Sequence, residues 1–217
     1  MDWHSHIDAY CERIDPSFWS EPINAVTNLA FIIAAIWVWP RVAGLPLARA
    51  LAAILFSIGL GSFLFHTFAT PWAALLDVVP IGAFILLYLF GVHRDVIGLR
   101  LWSALGATAL FVPFAAITVP LLGRLPFFGI SAFYWTVPIL LVIYGLALRK
   151  LPHIRRGFMI GAALLALSIS ARSVDEMLCA MLPFGTHFLW HIFNAVMLAW
   201  MILVYRRHML AGAARDR

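Results

Sequence analysis

The chain has 217 residues, of which 64% are hydrophobic and only 12% charged, against about 25% charged in a soluble domain. That balance excludes a soluble globular enzyme and predicts an all-α, multi-pass integral membrane protein. The formal net charge of +5 does not point to nucleic acid, because the basic residues are dispersed at the ends of apolar runs, where membrane-flanking charge belongs.

Residues 1–22 are expected to form an outer amino-terminal segment. They carry Asp2, His4, His6, Asp8, Glu12, Arg13 and Asp15, so the apolar core of a cleavable signal peptide is missing. Glu12, Asp15 and Glu21 are interleaved with Cys11, Phe18 and Trp19, and Pro16 and Pro22 fix turns. Hard oxygen donors in an ordered loop suit calcium; a solvated acidic segment is the plain alternative.

A transmembrane helix needs about 20 apolar residues. Seven runs fit that length, at about 23–38, 48–67, 72–92, 101–121, 131–148, 157–171 and 187–205. The intervening loops are short, so the runs predict one seven-transmembrane-helix bundle over 23–206, followed by a basic tail at 207–217. Twelve of the 15 Lys and Arg residues fall on one side of this arrangement: Arg41, Arg49, Arg94, Arg100, Arg149, Lys150, Arg155, Arg156, Arg206, Arg207, Arg215 and Arg217. The positive-inside rule then puts the amino terminus outside (or lumenal) and the carboxyl terminus in the cytosol.

Against this frame one constellation stands out. Ser62 and His66 are four apart, Asp77 follows eleven residues after His66, and His187 and His191 are again four apart. A spacing of four puts two side chains on one face of a helix, one turn apart. The alternating direction of the runs brings all five within about 10 Å of the outer membrane face, at 1.5 Å per residue. Ionisable groups inside a membrane are rare and usually functional, and three imidazoles with a fourth position free form the ligand set of a catalytic zinc. Asp77 reads either as the partner that orients a ligand histidine or as a general base. Ser62 reads either as a hydroxyl bonded back to its own helix or as an oxyanion donor. His4, His6, His93, His153 and His208 lie in termini or loops and read as solvated. Arg172 and Asp175 read as a structural ion pair. Cys11 and Cys179 both fall on the outer side, where a disulfide is permitted; two free thiols are the alternative.

At these residues the sequence resembles the alkaline ceramidase family, within the wider superfamily that includes the adiponectin/progestin-receptor-like and hemolysin-III-like proteins. The matching pieces are Tyr10-Cys11-Glu12, the stretch from Phe18 to Asn24, Gly61-Ser62 to His66, Asp77, and His187 to His191. The resemblance implies a seven-helix zinc amidase that cleaves ceramide to a sphingoid base and a fatty acid. It implies zinc on His66, His187 and His191, with Asp77 taking a proton from water and Ser62 stabilising the oxyanion. It also implies a calcium site in the amino-terminal segment, matched by Tyr10 (through its carbonyl), Glu12 and Glu21. Ala9 and Ile14 depart from that pattern, and Asp8 and Asp15, one place away in each case, are the substitutes. The family's paired cysteines correspond to Cys11 and Cys179. A membrane lipid substrate is therefore expected, with no nucleic acid and no obligate protein partner. A receptor-like protein of the same superfamily, with zinc in a structural role, is the rival reading.

Overall fold

The computed structural model describes residues 2–215, with side chains described through 212. Among the described residues every regular element is helical. In chain order the α-helices are α1 (Pro22–Thr27), α2 (Leu29–Val38), α3 (Pro46–Phe68), α4 (Pro71–Gly91), α5 (Leu101–Ala109), α6 (Phe111–Leu122), α7 (Pro126–Gly129), α8 (Ala132–Ala147), α9 (Pro152–Ser173), α10 (Asp175–Leu178) and α11 (His187–Arg215). A 3-10 turn at Trp39–Val42 follows α2, and a π-helical turn at Val92–Val96 extends α4.

Proline sets five of the eleven starts. Pro22, Pro46, Pro71, Pro126 and Pro152 each open a helix, where the missing N–H has no intrahelical partner to lose. The end of α3 is sharper. Ala69 takes a left-handed conformation, φ 46°, its N–H bonds back to the Phe65 carbonyl at 2.8 Å, and its own carbonyl accepts the Ile7 N–H at 2.7 Å. The chain reversal after His66 thus anchors the amino-terminal segment.

Six stretches are long and apolar enough to cross a membrane: Pro22–Val42, Pro46–Phe68, Pro71–Val96, Leu101–Leu122, Pro152–Ser173 and His187–Gly212. The protein is accordingly an integral, multi-pass membrane protein. The fifth apolar run forms only the shorter helix α8, of 16 residues, or about 24 Å at 1.5 Å per residue. Large side chains such as Ile33, Ile36, Trp102 and Ile117 stay outward-facing and more than half exposed, as a lipid-contacting surface requires. Helix α11 runs past 206 into the expected tail, and Arg217 lies outside the described residues.

The helices follow one another around a ring. Each of α2, α3, α4, α5, α6, α8, α9 and α11 packs on the next, and α11 closes back on α2. An apolar cavity runs down the inside, bordered by Ile58, Phe84, Leu89, Leu141, Phe158 and Met201 among others. Small residues allow the tightest approaches, as in other membrane bundles. At Gly61 an added Cβ would fall on the Leu76 carbonyl, so α3 and α4 touch backbone to backbone one residue from both Ser62 and Asp77.

Candidate metal centre

His66 lies in the last turn of α3; His187 and His191 lie in the first two turns of α11. The start of α11 is set by Asp175, whose Oδ1 accepts the backbone N–H groups of Thr186 (2.6 Å) and His187 (2.8 Å) and whose Oδ2 accepts that of Cys11 (3.0 Å). A carboxylate there satisfies orphan donors and complements the helix dipole. Gly185, at φ 60°, has no room for a Cβ, which would strike Asp175 Oδ1. Asp175 is therefore a cap, and the expected Arg172–Asp175 ion pair is corrected. Arg172 instead donates to the Ser131 hydroxyl (2.8 Å) and, at 3.4 Å, to the Ile130 carbonyl and the Tyr10 hydroxyl. Its guanidinium also lies over the rings of Tyr10, Tyr134 and Trp190.

The three histidines are fully buried, and each offers one nitrogen within a group whose members all lie within 4.8 Å of one another. Two of the rings are oriented from the amino-terminal side. His66 Nδ1 is 2.6 Å from Glu21 Oε2; facing a carboxylate, that nitrogen carries the proton. His191 Nδ1 is 2.9 Å from Thr27 Oγ1, and the Thr27 hydroxyl has its own backbone acceptors in the carbonyls of Ile23 (2.8 Å) and Asn24 (3.1 Å). The threonine hydrogen is used there, so its oxygen accepts from His191 Nδ1–H. Both Nε2 atoms are left with lone pairs, and they face one another at 3.1 Å. Two lone pairs at that distance repel unless a proton or a metal ion lies between them. His187 is stacked on Tyr10, ring centroids 3.7 Å apart and 19° from parallel, and its Nδ1 is buried without a hydrogen-bond partner. Imidazoles held by outer partners, as His66 and His191 are, form the donor set of a metal centre, and the residues present can hold a metal ion.

Beside the histidines, the buried Ser62 stands next to the half-buried Asp77, whose carboxylate also lies within electrostatic reach of His66 and Arg172. The structure thus brings His66, His187 and His191 into one cluster, with Ser62 and Asp77 beside it. Sequence spacing missed Thr27. The signal was present, since Asn24, Thr27 and Asn28 place three polar side chains at helical spacing inside an apolar run, and both asparagines are buried.

The five donors expected for calcium are spread over other tasks. Glu12 accepts the N–H groups of Ile23 (2.7 Å) and Asn24 (2.8 Å) and so caps α1. Glu21 is shared between His66, Asn24 and Arg13. The Tyr10 carbonyl accepts the Arg13 N–H, Asp15 accepts the Ser17 N–H at 2.8 Å, and Asp8 is exposed. Among the described residues, the histidine triplet is the one cluster of metal-ligating groups. Burial pushes the Glu12 carboxyl above its ordinary range. Burial works the same way on Glu21, but the hydrogen bonds and charges of His66 and Arg13 outweigh it and hold that carboxyl below its ordinary range. Burial raises the Tyr10 phenol.

Cys11 and Cys179 stand at disulfide distance, Cα–Cα 5.2 Å, which ties the amino-terminal segment to the connection between α9 and α11. His93 corrects another expectation. It is 3% exposed, held between the hydroxyls of Thr108 (3.0 Å) and Tyr144 (2.5 Å).

No protein-family model matches the chain, and no curated protein matches it.

Proposed function

We propose that this chain is a zinc-dependent intramembrane amidase that hydrolyses ceramide, or a close sphingolipid amide, to a sphingoid base and a free fatty acid. The observation that carries this reading is the pair of imidazole Nε2 atoms held face to face at 3.1 Å, next to Ser62 and Asp77. Two nitrogens bound to one tetrahedral zinc at about 2.0–2.1 Å stand about 3.3 Å apart, close to the 3.1 Å between His66 Nε2 and His191 Nε2. His187 supplies the third donor. Zinc bound there supplies Lewis acidity toward water and toward an amide carbonyl.

The remaining chemistry belongs to the chain's own groups. Asp77 takes the proton of the attacking water. Ser62 has one hydroxyl hydrogen, which in the resting site is directed at Asp77. Once Asp77 is protonated, its O–H can turn to the Ser62 oxygen and free the serine hydrogen for the oxyanion. The protonated Asp77 then returns its proton to the departing amine.

The apolar cavity begins one turn from the histidines, at Trp190 and Asn194, and continues to Met201. Along α11 that is eleven residues, about 16 Å, a length suited to a long acyl chain. A lipid amide lies just below the headgroups, the depth at which the basic-residue asymmetry sets the histidines. We read the bundle as seven-spanning with the amino terminus outside. In support, α8 begins level with the site, where Ser131 meets Arg172 and Ser173, and its last turns reach the far end of α4, where Tyr144 meets His93.

The test is metal analysis of the purified protein together with fatty-acid release from ceramide, dihydroceramide and phytoceramide. Stoichiometric zinc, turnover of at least one of these, and its loss in His191→Ala are expected. Zinc without turnover of any of them overturns the amidase reading and leaves a receptor-like protein with structural zinc.

A further inference from the structure

The centre of the amino-terminal segment holds a buried cation that belongs to the chain itself. Arg13 is 4% exposed. Its Nε donates to Glu21 Oε1 at 2.5 Å, one terminal nitrogen to the Asp15 carbonyl at 3.1 Å and, more distantly, the Ser17 carbonyl at 3.5 Å, and the other to the His66 carbonyl at 2.9 Å. One carboxylate and three backbone carbonyls make an all-oxygen surround, the kind a hard cation selects. Here a guanidinium fills it.

The same guanidinium holds His66 at two points. It binds the residue's main-chain carbonyl directly. Through Glu21, whose other oxygen takes His66 Nδ1–H at 2.6 Å, it also sets the plane and tautomer of the imidazole. The surround has little capacity for a second cation. Calcium takes six to eight oxygens, while both oxygens of Glu12 and both of Glu21 already receive N–H donors. Drawing Glu21 toward a calcium ion would strand a buried guanidinium, a loss far larger than a surface ion pair could offset.

We propose that Arg13 is a positioning residue for the metal centre: a covalently attached cation that clamps Glu21 and His66, so that the three-histidine site binds its metal without a second, calcium-type ion. This rests on reading the three histidines as metal ligands and is independent of the substrate assigned above.

The experiment measures zinc and cobalt affinity of the full-length, metal-stripped protein by competition with a chromogenic chelator, with thermal unfolding alongside. Wild-type protein is compared in millimolar calcium and in a calcium-selective chelator, and the two affinities are expected to be equal. Arg13→Gln is expected to weaken metal affinity about 10–100-fold, the usual effect of losing an outer partner of a ligand. Arg13→Lys, which keeps the charge but not the fork, should lose less, and low-millimolar guanidinium should restore part of the Arg13→Gln loss. A wild-type affinity that falls on calcium removal overturns the proposal. So does an Arg13→Gln protein that unfolds earlier yet binds metal as wild type does, since that is a purely structural role. If Arg13→Gln does not fold, the calcium comparison and Arg13→Lys decide; a lysine variant with less metal affinity than an alanine variant overturns it as well. Ceramide turnover is not a readout, so a wrong substrate assignment leaves the result standing.

Discussion

Replacing Glu21 by Gln tests how the site is held. Glu21 accepts on both sides, from Arg13 Nε at 2.5 Å and from His66 Nδ1 at 2.6 Å, with Asn24 Nδ2 at 3.1 Å as a third donor. Glutamine has one carbonyl oxygen and one NH2 group. Whichever way it turns, an N–H meets an N–H. Glutamine is neutral, so the buried Arg13 loses its counter-ion in either orientation, about 3–5 kcal/mol; turning the NH2 toward Arg13 removes its acceptor as well. Turning it toward His66 keeps an oxygen on Arg13 Nε and leaves two donors unmet, His66 Nδ1–H and Asn24 Nδ2–H, at about 1–3 kcal/mol each. The second arrangement keeps an acceptor on the cation, so His66 loses its own. Metal affinity should then fall about 10–100-fold, equivalent to about 1.4–2.7 kcal/mol. Zinc or cobalt competition on the stripped variant measures this, with thermal unfolding as the control. Wild-type metal affinity in a folded Glu21→Gln protein would refute the idea that Glu21 orients His66.

Gly61→Ala puts a methyl group on the Leu76 carbonyl; the helices must part, at about 1–3 kcal/mol of stability, and amide hydrolysis should drop further than metal affinity because Ser62 and Asp77 separate while the histidines keep their partners. Asp175→Ala removes the acceptor of three backbone N–H groups and should destabilise the protein by about 2–4 kcal/mol, read as a lower unfolding temperature with a parallel loss of metal affinity; unchanged unfolding would refute the capping role. Leu89→Trp fills the inner end of the cavity and should reduce turnover of long-chain relative to short-chain ceramides about tenfold or more, measured with a defined acyl-length panel. An unchanged preference would mean the chain lies elsewhere.

The spacing of the histidines was legible because a helix repeats every 3.6 residues whatever surrounds it, and the alternating direction of the runs put the end of α3 and the start of α11 at one level. The side chains that orient the rings were not, because a carboxylate does not carry its partner's identity. Glu21 reads equally well as a calcium donor or as a histidine acceptor until Arg13 is found filling the oxygen surround. Thr27 was hidden in an apolar run. His93 was read as a solvated loop residue because the third apolar run stops at 92, yet α4 continues through a π-helical turn at Val92–Val96, where the imidazole meets Thr108 and Tyr144. The length of α9 was underestimated for a related reason: Arg155 and Arg156 lie within the helix, so a reading that stopped at charge began it too late.

The link between Cys11 and Cys179 spans a sequence separation of 168 residues. At about 5–20 residues per second of synthesis, Cys11 exists for roughly 8–34 s before its partner is made. Asp175, which receives the Cys11 N–H, and both histidines of α11 are equally late. Cys11 therefore waits for Asp175 and Cys179, and His66 waits for α11. A chain that stalls before α9 is complete keeps the early anchors of its amino-terminal segment, at Ala69 and His66, but lacks the Cys179 and Asp175 contacts. The three-histidine cluster is therefore complete only once α11 stands beside α3.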